Sequence, residues 1–304
     1  MNRKERYSMF RCIVDHSALT NEEEYLICNT CNRKYPILEL HGHKGIPDMR
    51  IQHEKLEYEL KFRIPANIYD EIDLVNFGEA SFANFKGPSR KQIRKKYKTK
   101  LQKEIIYYTD KILDELGREI IILDIGTGKG GNKRLLYEKG FKNIIACEFT
   151  DTGRANVLLD VHRLPFADNS IDMIISTSTL EHFYNPFIAL KEISRVLKPN
   201  GRLIASGSFW ESWHSSSNFH FTPGGMIHLC ESAGLKVVDM WSGWGFIPSV
   251  GSHAMGLMKC KALLYSAQKM FDKIQKFKRG KQDAFIHKLK TSGSIGIYAV
   301  KRKS

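Results

Sequence analysis

The sequence predicts an α/β fold: a Rossmann-like sheet of seven strands flanked by helices, preceded by a small β module. Three observations lead to this prediction. An apolar run at 120–123 is followed by four glycines in six positions and then by a helical pattern. Further apolar runs of strand length recur down the chain, separated by helical patterns. Paired cysteines near the N-terminus mark the small module.

The glycine turn after the first strand admits two ligands. Gly126, Gly128 and Gly131 satisfy the dinucleotide fingerprint G-x-G-x-x-G, whereas Gly126, Gly128 and Gly130 satisfy G-x-G-x-G. Asp124 discriminates between them, because a carboxylate just before the turn would repel a pyrophosphate. It would attract a ligand that carries an ammonium group and no phosphate. S-adenosylmethionine (SAM) is such a ligand, so we expect SAM here.

Two further acids follow predicted strands. The strand at 141–147 ends at Glu148, where an acid can accept hydrogen bonds from ribose hydroxyls. A short third strand is expected at 157–159, reached by an irregular connection because too few residues are available for a helical crossover. Asp160 and Val161 follow it. They are placed to contact the amino group and a ring nitrogen of adenine.

The stretches 160–176, 180–186 and 189–205 resemble the class I SAM-dependent methyltransferases, most closely the branch that serves quinone and glycan biosynthesis. The resemblance implies these cofactor-binding residues: Asp124, Gly126, Thr127, Gly128, Glu148, Asp160, Val161 and Ser176. It places His182 near the transferring methyl group, as a base for a hydroxyl acceptor or as a residue that shapes the pocket. His220 and His214 are the other candidate bases.

The N-terminal module, 1–50, carries a candidate zinc site. Cys12 and His16 lie in one segment and Cys28 and Cys31 in another, and two ligand pairs suit a tetrahedral structural zinc. Asp15 stands where a second C-x-x-C would place its cysteine. The module resembles the zinc-ribbon-like domain of activators of tRNA and rRNA methyltransferases, through 10–12, 26–36 and 45–48. Many members of that family hold no metal, so three reduced thiols in a small core are the alternative.

The charge distribution favours an anionic partner, since 47 lysines and arginines stand against 33 acids, a formal net charge of +14. We expect a basic helical connector at 51–118 and a methyltransferase domain at 119–304. A basic helical insertion at about 254–290 would lie on an anionic membrane or form a cap over the acceptor pocket. No signal peptide or membrane span is expected. The prediction is therefore a cytoplasmic protein, with peripheral binding at the inner face of the membrane as an option.

The function predicted from these features is O-methylation of a small-molecule, sugar or lipid-linked glycan acceptor. Aromatic residues at 209–221 suit such an acceptor. Two alternatives remain. Methylation of tRNA or rRNA is suggested by the charge and the N-terminal module, although no amine-methylating motif follows the fourth strand. A catalytically silent SAM-binding partner protein is the other, and retention of three ligand acids argues against it.

Overall fold

The computed structural model describes residues 1–50, 85–88, 102–150, 152–214, 217–251 and 260–303. The strands are β1 (Leu19–Asn21), β2 (Tyr25–Cys28), β3 (Lys34–Leu40), β4 (His43–Met49), β5 (Ile121–Ile125), β6 (Asn143–Glu148), β7 (Val157–Leu159), β8 (Ile171–Ser176), β9 (Leu197–Ser208), β10 (Leu235–Trp244) and β11 (Ser294–Lys301). The helices are α1 (Arg3–Ser8), α2 (Lys103–Leu116), α3 (Gly131–Glu138), α4 (Pro186–Val196), α5 (Pro223–Ser232), α6 (Phe246–Ser249) and α7 (Lys261–Lys290), with a 3₁₀ helix at Leu180–His182.

The predicted seven-stranded sheet is present as β5–β11. Its strands run in the order β7-β6-β5-β8-β9-β11-β10. Neighbours from β7 to β9 are parallel, and β11 is antiparallel to both β9 and β10. Most residues of β5, β6 and β8 are buried, as parallel strands covered on both faces should be. The carboxyl ends of β5, β6 and β7 therefore meet at one edge.

The sheet has eleven strands rather than seven, because the N-terminal module continues it. Strand β4 pairs in parallel with β7, with Asp48 opposite Leu158 and Met49 opposite Leu159. Without β4, the short strand β7 would leave an unpaired edge beside the site. The sequence pattern marks each strand but not its distant neighbour, so the separate module was predicted and this pairing was not.

Three hydrophobic clusters pack against the sheet in the described residues. The first joins the module to the strands β5–β11, and in it the rings of Phe10 and Phe166 lie 5.5 Å apart. The second is covered by α2, where Tyr108 stacks on Tyr298 at 4.6 Å and on Trp241 at 5.3 Å. The module and the strands β5–β11 thus share one core.

Helix α7 confirms a helix within the predicted basic insertion, with a break at Gly280 (φ 78°). Most of the predicted apolar face is in solvent, and Phe277 is 92% exposed. This exposure disagrees with a cap packed over an acceptor pocket. Among the described residues, no helix is both long and apolar enough to cross a bilayer. Most of the predicted connector, 51–84 and 89–101, lies outside the described residues.

Candidate functional site

A cavity of about 450 Å³ opens where β5, β6 and β7 end. It is lined by Ile125, Gly126, Gly128, 147–150, 159–162, Ser178, Thr179 and 182–184. Its volume falls within the range of small-molecule sites, roughly 300–1,000 Å³. Five of the eight predicted cofactor-binding residues are in this lining, contributed by three strand ends that are distant in sequence.

The glycine turn forms the floor of the cavity. Gly126 and Gly128 have positive φ values of 72° and 49°, which side-chain-bearing residues rarely adopt. A Cβ on Gly126 would collide with the side chain of Thr179, whereas a Cβ on Gly128 would meet nothing within 4 Å. The backbone at Gly128 therefore borders open space, and a ligand can approach it closely.

Asp124 lies behind the turn and does not line the cavity. It is fully buried, and it accepts hydrogen bonds from Thr127 Oγ1 at 2.7 Å and Asn132 Nδ2 at 3.1 Å. Burial raises the pKa of Asp124 to about 6. Because Ile125 lines the cavity and strand side chains alternate, Asp124 points to the opposite side. The structure thus gives Asp124 and Thr127 the task of fixing the turn, where the resemblance implied contact with the ligand.

Glu148 lies at the tip of β6, as predicted, and lines the cavity. Its Oε1 accepts a hydrogen bond from the backbone N–H of Gly128, which ties the second strand to the glycine turn. Burial raises the pKa of Glu148. The predicted ribose-binding carboxylate therefore stands beside the turn at the cavity surface.

Asp160 and Val161 line the cavity beyond β7, and the structure adds His162 to them. Asp160 Oδ1 accepts from the backbone N–H of His162 at 3.0 Å and from its Nδ1 at 2.6 Å. Because Nε2 of His162 accepts from the Asn185 N–H at 3.2 Å, the donated ring proton is on Nδ1. Sequence reasoning missed this histidine, although the Asp-x-His spacing was a usable signal. It connects the predicted adenine-binding acid to the N-cap of α4.

Ser176 lies at the end of its predicted strand but is not part of the cavity lining. It is fully buried at the end of β8, and its Oγ has no hydrogen-bond partner. Ser178 and Thr179 line the cavity instead. Ser178 has a φ of 52°, so the chain turns sharply after the strand and brings the later residues over the glycine turn.

His182 lines the cavity from the 3₁₀ helix, as predicted, and its Nδ1 is buried without a partner. His220 is exposed and absent from the lining. Glu181 is only 2% exposed; its Oε1 accepts from Ser208 Oγ, its Oε2 has no partner, and burial raises its pKa. The rings of His182 and His214 meet edge to face at 5.6 Å. One donor atom from each of Glu181, His182 and His214 lies within 4.8 Å of the others.

In the N-terminal module the structure brings together Cys12, Asp15, Cys28 and Cys31, with donor atoms within 4.8 Å of one another. We call these four residues the thiolate cluster. His16 is outside it, since its left-handed backbone (φ 58°) turns the side chain elsewhere, and Asp15 takes the predicted place of His16. Three thiols and a carboxylate are all zinc ligands, so the residues fit a structural zinc.

Comparison with known proteins agrees with this geometry. Residues 123–205 match the family model described as "Methyltransferase domain". The uncharacterized protein YafE of Escherichia coli strain K12 is 51% identical over 41 residues, which is 14% of this chain and 20% of that protein. A demethylmenaquinone methyltransferase of Paenarthrobacter aurescens is 31% identical over 100 residues, 30% of this chain and 38% of that protein.

Among solved structures, a SAM-dependent methyltransferase from Mesorhizobium loti is similar to 65% of this chain over 98% of its own length, with 12% identity and a TM-score of 0.41. The two curated relatives are thus matched over much less than two thirds of their lengths. The match over 123–205 falls on the glycine turn and on strands β6 to β9. Residues 123–205 thus match a methyltransferase domain, and they lie in the parallel part of the α/β sheet.

Proposed function

We propose that the chain is an active enzyme that transfers the methyl group of SAM to a hydroxyl of a small-molecule acceptor, such as a sugar or a lipid-linked glycan precursor. The observation that supports this most is the convergence of Gly128, Glu148 and Asp160 on one cavity. Their strand ends are distant in sequence, so the sheet itself gathers them. The named relatives that methylate demethylmenaquinone also support a small acceptor.

The cavity fits SAM by the chemistry of its lining. The open space at Gly128 would accommodate the aminoacyl end, Glu148 the ribose hydroxyls, and Asp160 with Val161 the adenine. When bound there, SAM supplies a methyl group attached to a cationic sulfur, so proximity and orientation provide much of the catalysis. The residues of the chain then have to bind the acceptor, exclude water and receive one proton.

The acceptor would enter from the side of the 3₁₀ helix. His182 lies there, and it is the candidate to receive the hydroxyl proton. Beyond it, Trp210 and Trp213 are more than half exposed although they are large and apolar. Exposed indole rings suit stacking against a sugar or an aromatic ring. This segment is therefore the proposed acceptor surface.

Calorimetry with SAM tests the cofactor assignment. The wild type should bind SAM and should not bind NAD, because the Glu148 carboxylate beside the glycine turn would repel a pyrophosphate. Glu148→Gln and Asp160→Asn should each weaken binding by about tenfold or more, since each loses a charge-assisted hydrogen bond. Glu119→Gln, on an exposed carboxylate away from the cavity, is the matched control. No heat with SAM, or equal affinity in all variants, contradicts the assignment.

The acceptor class is tested by incubating the chain with radiolabelled SAM and cell extract. Label in the small-molecule or lipid fraction is expected. Label that ribonuclease releases would instead favour the RNA alternative. If SAM binds but no fraction is labelled, the chain is a silent SAM-binding partner and the proposed transfer is wrong.

We also propose that α7 binds an anionic membrane surface peripherally. Its exposed apolar side chains include Leu263, Met270 and Phe277, at 70%, 63% and 92% exposure. Exposed lysines alternate with them: Lys269, Lys273, Lys276 and Lys278. Apolar anchors flanked by lysines are typical of helices that lie in the interface of acidic lipids.

Sedimentation with vesicles tests this contact. Binding is expected to vesicles with one third phosphatidylserine and to disappear with pure phosphatidylcholine or at high salt. Phe277→Ser should weaken binding, whereas Tyr137→Ser, at a half-exposed aromatic of α3, should not. Equal sedimentation of both variants, or none for the wild type, contradicts the proposal.

A further inference from the structure

Three residues next to the cofactor cavity have more acceptor atoms than hydrogen bonds. We call Glu181, His182 and His214 the histidine group. Only 2% of the surface of Glu181 is exposed, and its Oε2 has no hydrogen-bond partner among the described residues. The buried Nδ1 of His182 has none either. Buried polar atoms normally have partners, so these two atoms, which have none among the described residues, indicate a missing ligand near their side chains.

The backbone of the histidine group is held in place. The carbonyl of Glu181 accepts from the N–H groups of Asn218 at 2.6 Å and Phe219 at 3.1 Å. Asn218 Nδ2 donates to the carbonyl of His182 at 3.0 Å. These bonds join the 3₁₀ helix to the segment that follows His214. The donor atoms therefore stand on a supported framework, as a binding site requires.

The surrounding charge favours a cation. Ser208 Oγ lies 3.1 Å from Glu181 Oε1 and 2.9 Å from Glu211 Oε2, so two carboxylates share one hydroxyl. A hydroxyl has a single proton and can donate to only one of them at a time. A cation bound beside Glu181 would favour its ionised form, which burial alone disfavours by raising its pKa.

We propose that Glu181, His182 and His214 bind a divalent transition-metal ion through one nitrogen of each histidine and one carboxylate oxygen. Two histidines and a carboxylate are a known ligand set for iron, zinc and similar ions, and they leave coordination positions open. Ligands bound at 2.0–2.2 Å from an ion lie about 3–4 Å from one another. The present separations, all within 4.8 Å, need only small side-chain rotations to reach that spacing.

The role of this metal site depends on the proposed methyl transfer, and it adds a statement about the acceptor. His182 belongs both to the histidine group and to the cavity lining, so the ion lies at the acceptor side of the cofactor. A divalent cation held there would lower the pKa of the acceptor's hydroxyl group, so that its proton would pass to water. The acceptor class is then a hydroxyl compound, and with the metal bound His182 would serve as a ligand, with water in place of His182 as the proton acceptor.

Metal titration of the full chain tests the site without any acceptor. Chelator-treated protein is titrated with MnCl₂ and followed by calorimetry and by the electron paramagnetic resonance of free Mn²⁺. Manganese prefers oxygen and nitrogen ligands, so it discriminates against the thiolate cluster. Glu181→Gln and His214→Gln remove ligands of the histidine group, and His43→Gln, at an exposed histidine of the module, is the matched control.

One equivalent of Mn²⁺ should bind to the wild type and to His43→Gln. Affinity should fall by at least about 10–100-fold in Glu181→Gln and His214→Gln, since even outer-shell changes cost that much. No binding by the wild type, or equal binding by His214→Gln, overturns the proposal. His214 is partly exposed, so its variant should fold even if Glu181→Gln does not. SAM calorimetry on His214→Gln separates the two hypotheses, because cofactor binding should persist when metal binding is lost.

Discussion

The two halves of the sheet gather reactive side chains in different ways. In the module half, β1–β4, the reactive groups contact each other: Cys12 Sγ lies 3.6 Å from Cys31 Sγ and 3.2 Å from the Tyr35 hydroxyl. In the methyltransferase half, β5–β11, acids and histidines at strand ends face a cavity, and some lack partners. The first arrangement is closed and suits stability. The second is open and suits a ligand.

The largest expected effect is on the stability of the module half. Cys28→Ser removes a ligand of the thiolate cluster, so it should abolish stoichiometric zinc and lower the free energy of unfolding by several kcal/mol, because structural zinc binding contributes directly to folding. Atomic emission and urea unfolding measure both. Cys260→Ser, an exposed cysteine outside the module, is the control. A wild type without zinc, or equal stability of Cys28→Ser, contradicts a structural zinc.

The next effect concerns the buried acid behind the turn. The folded pKa of Asp124, about 6, exceeds its ordinary value of 3.8, so ionisation disfavours the folded state. Below pH 3.8, Asp124 is protonated in both the folded and the unfolded state, so it causes no loss of stability. As the pH rises to 6, stability should fall by about 1.4 kcal/mol per unit, about 3 kcal/mol in total, and stay lower above it.

Urea unfolding between pH 4 and 7 checks this slope. The contribution should be absent in Asp124→Asn, which keeps an acceptor for Thr127 or Asn132 but cannot ionise. The difference between the two curves matters, because Glu148, whose pKa is also raised, contributes equally to both. Parallel curves for wild type and variant would show that Asp124 does not carry the effect.

These contrasts explain which parts of the site were predictable from sequence. Strand ends could be located, so Glu148 and Asp160 were assigned to the cavity edge and are there. The direction of a side chain at a strand end depends on register, and this is why Asp124 and Ser176 were predicted as ligand contacts but lie behind the lining. The left-handed turn at Ser178 had no glycine or proline to announce it.

Contacts between distant segments were beyond local patterns. His214 follows β9 by several residues. It lies near Glu181 because Asn218 and Phe219, in the same loop, donate hydrogen bonds to carbonyl groups of the 3₁₀ helix. Likewise, β4 reaches β7 across more than a hundred residues. Hydrophobic alternation specifies a strand's faces and not its neighbour. The fold class was thus readable, and the eleven-stranded sheet was not.

A smaller effect is expected at His162 in the open half, and it tests whether this residue supports SAM binding as well as stability. His162→Leu removes two described hydrogen bonds, the one between the ring and Asp160 and the one from the Asn185 N–H. The backbone bond can persist, so a loss of about 1–3 kcal/mol in unfolding free energy is expected from the two ring contacts. SAM affinity should fall as Asp160 loses its orientation. His162→Gln restores a donor and should recover part of both; a variant series with unchanged SAM affinity would make His162 purely structural.

The smallest effect separates stability from binding at the glycine turn. Gly128 and Gly42, which lies in the turn between β3 and β4, both have positive φ, and a Cβ on either would meet nothing within 4 Å. Alanine at each should therefore cost a similar amount, about 1–2 kcal/mol of unfolding free energy. Only Gly128 lines the cavity.

Calorimetry should accordingly show SAM binding weakened by about tenfold in Gly128→Ala, which corresponds to about 1.4 kcal/mol, and unchanged in Gly42→Ala. The pair isolates ligand contact from backbone strain, because the strain is common to both variants. If the two alanines weakened SAM binding alike, the turn would act through stability alone, and the open half would lose the feature that distinguishes it from the module.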